Sequence, residues 1–214
     1  KLINLRNKLD TQPIDGTIGI GHTRWATHGA PAEHNAHPHI SMNGDFVVVH
    51  NGIVENYLEL RAELQAEGVK FQSETDTEVI VQLIERYAHN GAQMDITEAT
   101  RKAVRQIRGA HAIVVMSKHQ PDTLVAVRIG NAGGVAIGVG KNENYIASDI
   151  PAIVEYTRDM IFLESLQMAT ITATDYSIQH IDKTPIEPEI RHIEWNPVSI
   201  AKGEYRHFML KEIF

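Results

Sequence analysis

Near its start the chain carries the stretch Gly19-Ile20-Gly21-His22-Thr23-Arg24-Trp25-Ala26-Thr27-His28-Gly29. The apolar, glycine-rich residues 17–21 predict a buried strand, and a loop follows directly. Ordinary loops are built from Asn, Asp, Ser and Pro, whereas this one carries a cation, an indole, a hydroxyl and imidazoles. Arg24 can bind a carboxylate through two parallel charge-assisted hydrogen bonds, and Trp25 can close over a bound molecule. The stretch therefore predicts a binding loop at the end of a rigid strand.

Composition limits the classes of function. Of the 214 residues, 43% are hydrophobic and 22% are charged, which is typical of a globular domain with a sizeable core. The formal net charge of −7 argues against a nucleic-acid partner. No apolar run is long enough to span a membrane, and no secretory signal pattern opens the chain. We therefore expect a single cytoplasmic domain over residues 1–214.

Hydrophobic periodicity places helices between groups of strands. The β-branched, apolar residues 45–50 predict a buried strand. The predicted helices cover residues 1–9, 55–67, 75–90 and 97–108, and later strands cover residues 112–116, 123–128, 135–139, 145–147, 168–172 and 176–181. This order predicts an α+β fold in layers rather than alternating βαβ units. The glycine-rich residues 130–140 lack the Lys and Ser/Thr of a phosphate-binding loop, so we expect hairpin turn geometry there.

The strand at residues 45–50 runs into His50-Asn51-Gly52. Asn51 can aim its side-chain NH₂, and Gly52 its backbone N–H, at one point just beyond the strand. Two such donors form an oxyanion hole, which stabilises the charge that develops in acyl transfer. Asn-Gly also favours hairpin turns, but a helical pattern follows here instead of a second alternating strand.

A third cluster is Glu74-Thr75-Asp76-Thr77-Glu78, which carries a capping-box signature from Thr75 to Glu78. A helix cap alone needs no further function. Asp76 can nevertheless pair with a substrate ammonium while Arg24 binds a carboxylate. A site with both charges and an adjacent oxyanion hole suits a free amino acid with a side-chain amide, so the predicted reaction is amide hydrolysis of glutamine or asparagine.

Together with Asn35-Ala36-His37-Pro38-His39 and the final Tyr205-Arg206-His207-Phe208-Met209-Leu210-Lys211-Glu212-Ile213, these motifs resemble the glutaminase domain of glucosamine-6-phosphate synthases. These enzymes are glutamine–fructose-6-phosphate aminotransferases (isomerising), with a class II, N-terminal-nucleophile (Ntn) amidotransferase domain. The resemblance implies an Ntn-hydrolase-type four-layer α/β/β/α sandwich with mainly antiparallel sheets, here without its N-terminal strand. It implies a tail at residues 187–214 that leads to absent sugar isomerase domains, and a homo-oligomer in the full-length enzyme. It implies L-glutamine and L-glutamate as ligands, and no metal and no cofactor.

The resemblance also implies roles for individual residues. Arg24 would hold the glutamine α-carboxylate and Asp76 the α-ammonium, and Asn51 and Gly52 would form the oxyanion hole. The remaining implied substrate-binding residues would close, line or support the pocket: Trp25, Thr27, His28 and His37.

The family's nucleophile is an N-terminal cysteine whose own α-amine acts as the base. The 214 residues contain no cysteine, so we expect this chain alone not to hydrolyse glutamine, even if it binds it. An omitted N-terminal segment and a truncated fragment explain this equally well. Gly130-Asn131-Ala132-Gly133-Gly134 also departs from the family's Gly-Ser-Pro turn, and we expect no effect on catalysis.

Two other functions remain open. A metal hydrolase could use His34, His37 and His39, although metal ligands usually come with carboxylates at fixed spacing on one element. A non-catalytic module could instead bind an amino acid and regulate a partner, and the absence of cysteine favours this alternative.

Overall fold

Two antiparallel sheets pack face to face in the computed structural model, which describes residues 2–24, 29–89 and 95–194. The first sheet contains, in spatial order, β1 (His39–Ile40), β2 (Phe46–Gly52), β3 (His111–Ser117), β4 (Gln120–Ile129), β8 (Gln167–Ile171), β9 (Tyr176–His180) and β10 (Pro185–Ile186). The second contains, in spatial order, β11 (Arg191–His192), β7 (Asp159–Phe162), β5 (Ala136–Val139) and β6 (Asn144–Ala147). The described helices are α1 (Leu2–Thr11), α2 (Tyr57–Ala66), α3 (Thr77–His89) and α4 (Ile96–Val104).

Helices α2, α3 and α4 cover one face of the first sheet. Val48 of β2 and Ile113 of β3 are fully buried there against Ile80 and Leu83 of α3. The other face packs on the second sheet, where the small side chain of Ala126 lies in one cluster with residues of both sheets. Burial on both faces explains why β2 and β3 are nearly continuous apolar runs instead of alternating ones.

The outer face of the second sheet is covered by the 3₁₀ helix Ile150–Ala152 and the turn that follows it. Met160 of β7 is fully buried there beside Ile153. The order of layers is therefore helices, sheet, sheet and a short helical turn, which agrees with the predicted layered α+β sandwich. None of the described helices is both long enough and apolar enough to cross a membrane.

The strand predicted at residues 17–21 is wrong. These residues form no ladder with any described strand, and only Ile18 and Ile20 are even half-buried. A strand exists only where a neighbouring backbone pairs with it, and glycine within the run weakens it further. The hairpin geometry expected at residues 130–140 is present only at their end. Residues 130–135 carry the chain from β4 in the first sheet to β5 in the second, whereas Gly140 begins the turn of the β5–β6 hairpin.

The predicted capping box is wrong as well. Glu78 reaches back past Thr75 and accepts the backbone N–H of Ser73 at 2.7 Å and its hydroxyl at 2.6 Å. The Thr75 hydroxyl instead lies 3.0 Å from Nε2 of His39. The sequence motif therefore marks the start of a helix correctly, but a different pair makes the contact.

Candidate active site

A cavity of about 230 Å³ lies between the end of β2 and the start of α3. It brings together predicted site residues from separate parts of the chain: Arg24, His37, Asn51, Gly52 and Asp76. Pockets for drug-sized ligands occupy about 300–1,000 Å³, so this cavity suits a smaller molecule. The predicted Trp25, Thr27 and His28 lie outside the described residues.

Arg24 enters the cavity from a backbone conformation that is unusual for a residue with a side chain. Its φ is +45°, in a region that non-glycine residues rarely adopt and that is enriched at functional sites. Its guanidinium donates hydrogen bonds to the carbonyl of Gly29 at 3.2 Å and of Ala30 at 3.5 Å. These contacts hold the guanidinium beside Gly29 and Ala30, where the predicted binding loop ends.

Asn51 and Gly52 are the last two residues of β2, where they pair with Ala112 and His111 of β3. They are therefore strand residues, and the ladder fixes their backbone. Gly52 has φ +132°, and a Cβ there would lie 2.2 Å from the carbonyl oxygen of Ala110. Glycine is required at this position for steric reasons, which explains the Asn-Gly pair without a hairpin turn.

Asp76 is 3% exposed and immediately precedes the first residue of α3. Its Oδ2 accepts the backbone N–H of Val54 at 2.7 Å. A carboxylate at a helix N-terminus is stabilised by the helix dipole. The Asp76 carboxylate and the Arg24 guanidinium therefore line the same cavity.

His37 and His50 form part of the remaining wall, and burial keeps both of these imidazoles neutral. Burial, followed by the charges of His22, His39 and Arg24, lowers the pKa of His37 to about 3. Burial also lowers the pKa of His50 well below its usual value, and the charge of His111 adds to the effect. The described part of the cavity therefore presents the guanidinium of Arg24, the carboxylate of Asp76 and the neutral rings of His37 and His50.

His50 belongs to a directed chain of hydrogen bonds that begins at the cavity wall. Nε2 of His111 lies 3.2 Å from the carbonyl of Arg108, which can only accept, so that nitrogen carries the proton. Nδ1 of His111 then accepts from Nε2 of His50 at 3.1 Å, and Nδ1 of His50 accepts the hydroxyl of Thr77 at 2.9 Å. The chain fixes the tautomers of both rings and ties β2 to β3 and α3.

Sequence reasoning missed several wall residues as members of the site: His22, His50, Thr75, Thr77 and Ala132. His50 directly precedes the predicted Asn51, and His22 lies two residues before the predicted Arg24, so their positions in the motifs could have identified them. No local signal marks Ala132, which reaches the cavity from the connection between the two sheets. The departure from the family's turn therefore lies on the cavity wall, and the expectation that it has no effect on catalysis stays a prediction.

The histidines of the proposed metal alternative do not converge on one point. Nε2 of His39 is bonded to Thr75, and Nδ1 of His37 accepts the backbone N–H of His50 at 3.3 Å. His34 is exposed and outside the cavity wall. Among the described residues the possible metal ligands that lie close together are Asp45, Glu85 and His89, none of which lines the cavity.

Comparison with known proteins identifies the family to which the chain belongs. The glutamine amidotransferase domain model matches residues 10–195. The glutamine–fructose-6-phosphate aminotransferase (isomerizing) of Clostridium acetobutylicum is 44% identical over 214 residues, which cover 100% of this chain and 34% of that protein. The enzyme of the same name from Aquifex aeolicus is 48% identical over 196 residues, or 92% of this chain and 32% of that protein. The chain thus spans about a third of the length of the curated relatives it matches.

Solved structures show the same architecture. Glutamine phosphoribosylpyrophosphate amidotransferase from B. subtilis, complexed with ADP and GMP, matches 77% of this chain and 35% of its own with a TM-score of 0.61 and 23% identity. An allosteric regulatory enzyme of purine biosynthesis matches 75% of this chain and 34% of its own, with a TM-score of 0.62 and 23% identity. At this identity the likeness concerns the fold, and it confirms the fold class predicted from the sequence.

Proposed function

The chain belongs to the glutamine amidotransferase family, and we propose that it is the glutaminase part of a glutamine–fructose-6-phosphate aminotransferase. The observation that carries the proposal is the single cavity shared by Arg24, Asp76, Asn51 and Gly52. A cation and a carboxylate complement the two charged α-groups of a free amino acid. The strand-end donors lie on the same cavity and complement the side-chain carbonyl oxygen.

In this proposal Arg24 binds the α-carboxylate of L-glutamine and Asp76 its α-ammonium. A cysteine thiol attacks the side-chain carbonyl carbon, as the resemblance to the family implies, and the negative charge develops on the carbonyl oxygen. Asn51 Nδ2–H and Gly52 N–H stabilise that charge. The α-amine of that cysteine takes the thiol proton and passes it to the amide nitrogen, so that the C–N bond breaks and ammonia leaves. Water then hydrolyses the thioester to L-glutamate and restores the thiol.

The proposal also covers where the ammonia is used, which involves domains outside this chain. In an aminotransferase of this family the ammonia is passed to sugar isomerase domains, which convert fructose 6-phosphate to glucosamine 6-phosphate. The 44% identity to a named glutamine–fructose-6-phosphate aminotransferase over the whole chain supports this acceptor over others.

Two measurements test the proposal. Calorimetry should detect binding of L-glutamine to the chain, and no binding would contradict it. Ammonia release should appear when the chain carries the cysteine-initiated N-terminal segment of a relative, and Asn51→Ala should lower the kcat of that protein about 10²–10³-fold with a modest change in KM. Binding without turnover in the extended protein would favour a regulatory glutamine-binding module instead.

A further inference from the structure

His22 lies between the two halves of the proposed site. The backbone N–H of Arg24 donates to its Nδ1 at 2.8 Å, and its Nε2 lies 2.8 Å from Oδ1 of Asn51. A single imidazole thus connects the residue proposed to bind the α-carboxylate with the residue proposed to bind the side-chain carbonyl oxygen. The mechanism above gives this ring no role.

The hydrogen bonds determine which ring nitrogen carries the proton. A backbone N–H can only donate, so Nδ1 of His22 must accept and cannot be protonated. The ring proton is therefore on Nε2, which must donate to its neighbour. Asn51 can accept only through its amide oxygen, so Oδ1 faces the ring and the NH₂ group is turned away from it.

The amide orientation follows from this chain of donors and acceptors, because the oxygen and nitrogen of an asparagine have nearly the same shape. Among the described residues, none accepts a hydrogen bond from Nδ2 of Asn51, and both Asn51 and His22 line the cavity. If the amide flipped, its NH₂ group would face another N–H group. The flipped state would lose the bond to His22 and turn an acceptor toward the ligand.

The ring of His22 is itself held in place. It stacks on His37 with a centroid distance of 4.4 Å and an interplanar angle of 23°. His37 is in turn fixed by the backbone N–H of His50, the residue before Asn51. His22 is therefore held, through His37, by the end of β2 that also carries Asn51.

We propose that His22 is a positioning residue, whose Nε2–H locks the Asn51 amide so that its NH₂ group faces the side-chain carbonyl of bound glutamine. This inference rests on the proposed function. It predicts that His22 acts on the ligand through Asn51, so that its removal has an effect only while Asn51 is present.

A double-mutant cycle tests this coupling by calorimetry with L-glutamine. We expect Asn51→Ala to weaken binding by about two- to fivefold, as for loss of a neutral hydrogen bond, which agrees with the modest change in KM expected above. His22→Phe should cost nearly as much, because it keeps a ring against His37 without the N–H donor. The double variant should bind no more weakly than Asn51→Ala alone, and His22→Gln, which keeps an N–H donor, should restore part of the affinity. Losses that add, or wild-type affinity in His22→Phe, would overturn the inference.

A measurement without ligand separates this inference from the proposed function. Nitrogen-15 NMR of the free chain distinguishes protonated from unprotonated ring nitrogens, and His22 should carry its proton on Nε2. A proton on Nδ1 would overturn the inference even if glutamine binds. Failure of the wild-type chain to bind glutamine, with the expected tautomer observed, would instead overturn the proposed function and the ligand contact that rests on it.

Discussion

The side-chain amide of Asn35 makes two hydrogen bonds to Glu74: its Oδ1 accepts the backbone N–H of Glu74 at 2.9 Å, and its Nδ2 donates to the Glu74 carboxylate at 3.0 Å. The same Nδ2 also donates to the carbonyl of Ala30 at 3.0 Å. Asn35 is fully buried, and its hydrogen bond is the largest cause of the lowered pKa of Glu74. Asn35 therefore joins the segment after the binding loop to the segment that carries Asp76.

We expect Asn35→Ala to lower the free energy of unfolding by about 1–3 kcal/mol, because it removes three hydrogen bonds made by a buried side chain. Urea unfolding measures the change. Asn7→Ala on the exposed face of α1 is the matched control and should change stability by less than about 0.5 kcal/mol. Equal stability of the two variants would show that Asn35 does not join the two segments.

Arg24→Ala should weaken L-glutamine binding by about 2–3 kcal/mol, because a fork of charge-assisted hydrogen bonds to the α-carboxylate is lost. Arg24→Lys keeps the charge but not the fork, so its affinity should lie between those of the wild type and the alanine variant. Calorimetry measures each dissociation constant. Arg6→Ala on the exposed helix α1 is the control for the loss of one positive charge. An unchanged affinity in Arg24→Ala would reject the assignment.

Asp76→Asn isolates the contact to the α-ammonium. Asparagine keeps an oxygen that can accept the Val54 N–H, so stability should change little while the negative charge disappears. L-glutamine should bind about ten- to a hundredfold more weakly, in line with loss of a charged hydrogen bond. Glutaramate, which has the same carboxylate and amide but no ammonium, should bind both proteins equally. A parallel loss for both ligands would mean that Asp76 only shapes the pocket.

The sequence predicts the elements whose pattern is local. The β-branched run at β2 identifies a strand buried on both faces, and Gly68, with φ +93°, lies where a left-handed helix end was indicated by the pattern of α2. The run at residues 17–21 also carries apolar side chains, at Ile18 and Ile20, but has no described partner strand. Residue types can be read from the segment itself, whereas the partner of a strand comes from elsewhere in the chain. The prediction failed there for this reason.

The candidate site shows the same division. Arg24, Asn51 and Asp76 stand out because their residue types are unusual in their local context. The hydrogen bond between His22 and Asn51 joins positions 29 residues apart. Ala132 reaches the cavity from the connection between β4 and β5. Such contacts depend on the tertiary arrangement of strands, which no short motif encodes.

Stability should fall as the pH drops below about 6.5. His37 and His50 have pKa values in the folded protein that are lower than the usual 6.5, to about 3 for His37. Below pH 6.5 the unfolded chain therefore binds more protons, and stability is lost progressively from there toward about pH 3, while it is complete above pH 6.5.

Urea unfolding between about pH 7 and pH 4 measures this loss, whose limit is about 1.4 kcal/mol per pH unit for each histidine. We expect a smaller share from His37, which keeps some contact with solvent. His37→Gln should reduce the slope, and His34→Gln, at an exposed position, should leave it unchanged. An identical slope in all three proteins would mean that His37 has the same pKa in the folded and the unfolded chain.

Gly52→Ala should separate the steric demand of the strand end from the cost of its backbone conformation. A Cβ at Gly52 would meet the carbonyl oxygen of Ala110 at 2.2 Å, whereas one at Gly68 would meet nothing within 4 Å, although both glycines have positive φ. Gly68→Ala should therefore cost about 1–2 kcal/mol for conformation alone, and Gly52→Ala a further 1–3 kcal/mol or so for the clash. Because the clash can be relieved only by moving β2 or the Ala110 segment, Gly52→Ala should also weaken glutamine binding. Gly68→Ala should not. Equal costs in urea unfolding would show that Ala110 moves aside freely and that the strand end is not rigid enough to hold an oxyanion donor in place.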